Sequence, residues 1–188
     1  MSIRLIVIFT IAMMAVAQLP SAQSILAWQQ STIAQGEVWQ IVTGNFTHTN
    51  WPHMIMNSIA LAIITFIFRA QLNAYRLLGL LFGLSAIIGI TLLWSSMNWY
   101  AGLSGVLHGL FAWGACRDIL AKEKLGWLML AGVIIKVAEE QVFGGSLSSA
   151  ALIDARVAIE AHLTGVIAGI VIAIVPWLIT LCFQPSKQ

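Results

Sequence analysis

Long apolar runs joined by short polar links constrain this chain more than any other feature. Arg4–Leu19, Pro52–Arg69, Tyr75–Trp94, Leu103–Leu120, Leu125–Val142 and Ala158–Phe183 are the candidate runs. Each approaches the ~20 mostly apolar residues a helix needs to cross a bilayer. Only 9% of the chain is charged and 60% is hydrophobic, whereas a soluble domain of 188 residues would need far more charge to cover its surface. The expected fold class is an all-α membrane protein, a single domain over residues 1–188 built as a six-helix transmembrane bundle. The first run, with Arg4 before it and Pro20-Ser21-Ala22-Gln23-Ser24 after it, also has the outline of a signal peptide. The multispan character of the remaining chain favours a retained first helix.

The charges sort by side. With the N-terminus in the cytoplasm, Arg4, Arg69, Arg76, Arg117, Lys122, Lys124 and Lys187 fall inside, and only Lys136 and Arg156 fall outside. Glu37, Glu139, Glu140, Asp154 and Glu160 fall outside, against Asp118 and Glu123 inside. This positive-inside pattern supports an even number of spans with both termini cytoplasmic. The net charge of +2 is then topological anchoring and gives no indication of nucleic acid. Cys116 and Cys182 lie near cytoplasmic helix ends, on the reducing side, where a structural disulfide is not expected.

Three links stand out. Ala22–Asn50 mixes Trp28, Trp39 and Phe46 with Gln, Ser and Thr, which suits a membrane interface and a short amphipathic element or a plain interfacial loop. Ser95–Ala101 is short and polar, and Phe143–Ala158 begins with a hinge-like Gly144-Gly145.

The chemistry-bearing residues converge. His53 begins the second run, Ser104 and His108 begin the fourth, and His162 lies one turn into the sixth, all at the outer ends. Titratable groups inside spans are costly and are usually functional or paired. Ser104 stands between Gly102-Leu103 and Gly105 at a helix start, where orphan backbone N–H groups could stabilise developing negative charge. A serine hydroxyl is a weak nucleophile until a base takes its proton, and His162 is a candidate base. Gly165 and Gly169 form a small-residue face below His162 that lets helices approach closely. His53 and Asn57 are spaced i, i+4 on one face and can both donate hydrogen bonds. His108, four residues after Ser104, is a second candidate base on spacing alone. The four histidines could also bind a transition metal. No carboxylate or cysteine is read beside them, however, and no two share a helix at i, i+4, so no metal or other cofactor is expected.

In order along the chain, Glu37-Val-Trp-Gln-Ile-Val-Thr-Gly-Asn-Phe-Thr-His48, His53-x-x-x-Asn57, Gly102-Leu-Ser-Gly105 and Ala161-His-Leu-Thr-Gly165 resemble the motifs of rhomboid intramembrane serine proteases. The resemblance implies a rhomboid-like bundle with a short fourth helix starting deep in the membrane. It implies Ser104 as nucleophile and His162 as base of a dyad. His53, Asn57 and the Ser104 N–H would form the oxyanion hole, and His48 would pin the first loop. Trp39-Gln40 replaces the Trp-Arg of many bacterial members and removes a bidentate contact with a carboxylate such as Glu37. His108 stands where a stacking tyrosine is common. His108-Gly109, the small size and the lack of an extra domain look like the rhombosortase branch. That branch implies membrane-protein substrates with a C-terminal Gly-Gly motif and transmembrane segment, and the bacterial inner membrane as location. No acid is read as a third catalytic member, because Glu160 points to a different helix face from His162. A non-catalytic rhomboid-like binder and a His-lined transporter are the rival readings.

Overall fold

The structure is a computed structural model that describes residues 2–182. The expected span end at Phe183 and the charge at Lys187 lie outside the described residues, as does the side chain of Cys182. In chain order the elements are α1 (Ile3–Ala17), α2 (Pro20–Leu26), β1 (Trp28–Gln29), α3 (Gln30–Ala34), α4 (Gln40–Thr43) and α5 (Trp51–Ile67). They continue with α6 (Ala74–Thr91), β2 (Trp99–Tyr100), α7 (Ser104–Leu120), α8 (Leu125–Phe143), α9 (Leu147–Ile153) and α10 (Ile159–Cys182).

The six apolar runs coincide with α1, α5, α6, α7, α8 and α10. Their starts are set locally. Asn50 caps α5 by accepting from the His53 N–H at 2.9 Å, and Asn73 caps α6 by accepting from the Arg76 N–H at 2.9 Å. Among the described residues, Ala74–Trp94 and Ile159–Ile179 are each long and apolar enough alone to cross a membrane. The pairs Ile3–Ala17 with Pro20–Leu26 and Gln40–Phe46 with Trp51–Ile67, bent by 102° and 90°, bring the number to four if each is one span. α8 differs from these in carrying Lys136, Glu139 and Glu140 toward its end.

Large apolar side chains face outward, among them Leu5, Ile8 and Phe9 on α1, Ile59 and Phe66 on α5, and Ile135 on α8. Polar ones turn inward: Asn45, Thr47, His48, Asn57, Ser85 and His162 are all buried. Apolar side chains on the outer surface, with polar ones set inside an otherwise apolar core, is the arrangement that lipid, rather than water, stabilises.

The link before α5 is more ordered than one amphipathic element. It folds into α2, β1, α3, α4 and a 3-10 turn at Gly44–Phe46. β1 pairs antiparallel with β2, Trp28 opposite Tyr100, and the fully buried Trp28 donates its indole N–H to the Gly89 carbonyl at 2.9 Å. Gln40 does what an arginine would do there. Its amide donates to Glu37 Oε2 at 2.7 Å and to the Ile25 carbonyl at 3.1 Å. Its oxygen accepts from Thr32 Oγ1 at 2.7 Å and the Gln29 N–H at 3.1 Å. A neutral amide with both ends engaged braces the loop without burying a charge. The Phe143–Ala158 link likewise is no plain loop. Gly144 turns the chain at φ +84° and α9 follows, tied to α5 by Asn50 Nδ2 donating to the Leu152 carbonyl at 3.0 Å.

α7 is the central helix, enclosed by α5, α6, α8 and α10. Its closest neighbour is α10. A Cβ added at Gly165 would land on the Gly105 carbonyl oxygen, and one at Gly169 on the Gly109 carbonyl oxygen. In return, a Cβ at Gly105 would meet the Ala161 oxygen at 2.8 Å and one at Gly109 the Gly165 oxygen at 2.7 Å. The two backbones interlock, as the Gly165/Gly169 face leads one to expect, with Gly109 as a partner the spacing did not single out.

Gly165→Ala is therefore expected to destabilise the fold by about 1–3 kcal/mol through overpacking. Gly83→Ala, on α6 with no atom near the added carbon, is neutral or slightly stabilising by helix propensity. Thermal unfolding midpoints of the two variants in detergent test the contrast.

Candidate active site

Ser104 is the first residue of α7, and no side chain caps that end. The approach to it is rigid. Gly102 sits at φ +142°, where an added Cβ would lie 2.8 Å from His53 Cε1, so the position needs glycine on both counts. The Gly102 N–H donates to the Gly44 carbonyl at 3.2 Å, and the Tyr100 hydroxyl donates to the Gly102 carbonyl at 2.5 Å. The first loop and β2 thus hold the peptide leading into the serine. Burial raises the Tyr100 phenol well above its ordinary value, keeping it a neutral donor.

His162, on the first turns of α10, faces this serine. Ser104 Oγ lies 2.9 Å from His162 Nε2, and the imidazole is only 5% exposed. The other ring nitrogen is engaged too. His162 Nδ1 lies 2.7 Å from Glu140 Oε2, a carboxylate on α8 that is 4% exposed. This corrects the expectation that no carboxylate accompanies the histidines. Glu160, in contrast, pairs with Arg156 at 2.7 Å and points elsewhere, as its position two residues before His162 requires.

His108 does not occupy the place of a second base. Its ring stacks on His162, with centroids 4.1 Å apart and an 18° interplanar angle, and its Nδ1–H donates to the Ser104 carbonyl at 2.8 Å. It is a stacking partner, filling the position the resemblance gives to an aromatic ring.

His53 and Asn57 both open onto the same cavity as Ser104, a space of about 710 Å³ that also reaches His108 and Glu140. His53 Nδ1 lies 3.0 Å from Thr49 Oγ1. When that hydroxyl donates, the ring proton sits on Nε2, making it a donor. Asn57 is 3% exposed, and its Nδ2 has no partner within the protein. A buried amide donor without an acceptor costs about 1–3 kcal/mol, and Asn57 shares its cavity with Ser104. His48 is fully buried behind His53, edge-on at 4.9 Å, and its carbonyl accepts from Gln23 Nε2 of α2. It links the first loop to the start of α5.

His108, Glu140 and His162 present ligating atoms within 4.8 Å of one another, the geometry of a possible metal site. Those atoms are largely engaged with each other and with Ser104 instead of converging on an open point. Glu140 is the residue that sequence reasoning assigned to topology alone. A partial signal was present: Lys136, Glu139 and Glu140 all sit within an apolar run, where ionisable groups point to function, but their spacing does not single out Glu140.

A family model, the Rhomboid domain, matches residues 35–178, well over half of the chain. A search of curated proteins found no match.

His48 yields a pH prediction. Burial, with the neighbouring His53 second, lowers it from 6.5 to about 3. The folded state therefore holds it neutral while the unfolded chain takes up a proton below about pH 6.5. Its contribution to stability is full above that pH and drains as pH falls toward 3. Unfolding midpoints of the native chain are expected to fall more steeply from pH 7 to 4 than those of His48→Phe, and equal slopes would remove His48 as the cause.

Proposed function

The chain belongs to the rhomboid family, an integral membrane protein family of intramembrane proteases, and from that premise we propose that it is a serine endopeptidase cutting membrane-protein substrates within the bilayer. Ser104 is the nucleophile and His162 the general base. The observation that carries the reading is the 2.9 Å approach of Ser104 Oγ to His162 Nε2 at the wall of a cavity holding an unpartnered Asn57 amide. The six apolar helices then act as six spans with both termini in the cytoplasm of a bacterial inner membrane, an orientation supported by the charge distribution.

A substrate segment enters laterally and unwinds near small residues, since a helical carbonyl is shielded by its own hydrogen bonds. Ser104 Oγ attacks the exposed carbonyl carbon while its proton passes to His162 Nε2. The oxyanion is received by the N–H of Ser104, Asn57 Nδ2 and His53 Nε2, donors of three residues that line one cavity. His162 returns the proton to the leaving amine. Water then enters, His162 takes its proton, and the acyl-enzyme is hydrolysed. The His108-Gly109 variant favours the rhombosortase branch. The substrates are accordingly proteins whose C-terminal membrane anchor carries a Gly-Gly motif.

A fluorophosphonate probe is expected to label the native chain and neither Ser104→Ala nor His162→Ala. Asn57→Ala keeps labelling but loses about 10²–10³ in turnover of a Gly-Gly-tailed substrate. A folded native chain that neither labels nor cleaves would turn the assignment to a non-catalytic binder or a His-lined transporter.

A further inference from the structure

We propose that Glu140 is a positioning residue that completes a Ser104–His162–Glu140 triad, an inference that rests on the protease reading above. The chain of contacts is continuous: Ser104 Oγ to His162 Nε2 at 2.9 Å, then His162 Nδ1 to Glu140 Oε2 at 2.7 Å. An ionised carboxylate can only accept, so the ring proton is held on Nδ1 and the Nε2 lone pair faces the serine. When Nε2 takes the serine proton, the imidazolium forms against a fixed negative charge.

A purely structural role accounts poorly for Glu140. The residue sits in the last turn of α8, at the negative end of the helix dipole, where a carboxylate is locally unfavourable. It pairs with Lys136 at 3.4 Å through Oε1, but with lysine N-terminal to glutamate, the weaker i, i+4 order. That pair alone would let the carboxylate swing out beside the half-exposed lysine. Instead Glu140 is buried, and its second oxygen crosses to another helix to meet His162. Burying a carboxylate this way is costly unless both oxygens are matched, and here both are.

The other groups around His162 do not substitute for it. His108 from α7 stacks face to face and is occupied by the Ser104 carbonyl, and His53 from α5 is engaged with Thr49. Lys136 reaches the far oxygen of Glu140, while Glu160 and Arg156 pair with each other. Among these, only Glu140 touches Nδ1.

The test is steady-state cleavage by detergent-purified native enzyme, Glu140→Gln and Glu140→Asp, with unfolding midpoints alongside. Glutamine keeps size and hydrogen bonding but removes the charge and can turn its NH₂ toward Nδ1. It is expected to lower kcat by roughly 10²–10⁴-fold with KM little changed and the midpoint near native. Aspartate keeps the charge but withdraws it by about one methylene, with an expected loss on the order of 10²-fold. It carries the test if the glutamine variant does not fold. Native cleavage with Glu140→Gln or Glu140→Asp at near-native kcat sinks the triad and leaves the protease standing. Loss of kcat only in proportion to folded protein also overturns it. A folded native chain that neither labels nor cleaves sinks the protease reading and this role together.

Discussion

The closest approach of two long helices in the molecule, between α7 and α10, is also the one that sets its chemistry. Gly105, Gly109, Gly165 and Gly169 let the two backbones interlock, each glycine standing over a carbonyl of the other helix or beside one. Ser104 lies next to Gly105, and His162 lies three residues before Gly165. The 2.9 Å separation between their side chains is therefore inherited from backbone packing, not from side-chain adjustment. Glycine inside a helix costs up to about 1 kcal/mol relative to alanine. Four such positions are tolerable because membrane helices associate through close van der Waals contact, which small residues maximise.

A second layer fixes the other partners. The first loop is a folded unit, braced by Gln40 and anchored on Trp28, and its Gly44 carbonyl holds the Gly102 N–H just before Ser104. His48 connects the same loop to His53, whose Cε1–Nε2 edge packs on Gly102. Gln40, Thr43, Asn45 and Thr47, polar side chains of the loop, are matched within it or by the core below, as a low-dielectric environment demands. The exchange of arginine for Gln40 is instructive here. What the loop needs is a fork that spans Glu37 and nearby carbonyls, and a neutral amide supplies it.

Much of this was legible in the sequence, because a bilayer makes the code simple. Apolar runs gave the long helices within a few residues, and the placement of His53, Ser104, His108 and His162 at the same ends of three helices foretold that they would meet. Gly165 and Gly169 foretold how. What escaped was whatever depends on rotation about a helix axis. Glu140 read as one charge in an outer cluster with Lys136 and Glu139, and nothing in linear spacing said that it alone turns inward. His108 read as a possible base, since i, i+4 spacing shows a shared face but not that a ring lies flat against another. The first loop escaped for a different reason. Its short helices are held by long-range partners such as Gly89 and Ser85 on α6, and no local pattern announces those.

The unpartnered amide of Asn57 has a consequence of an evolutionary kind. In the resting molecule it stands as an unsatisfied donor in a buried position, so the fold would gain by replacing it with an apolar side chain of similar shape such as leucine. If Asn57 serves the oxyanion as proposed, directed evolution of this chain for thermal tolerance alone would drift toward that replacement and lose turnover in doing so. On that assignment Asn57 sets durability against reactivity, and its persistence in a lineage would record selection for turnover over robustness.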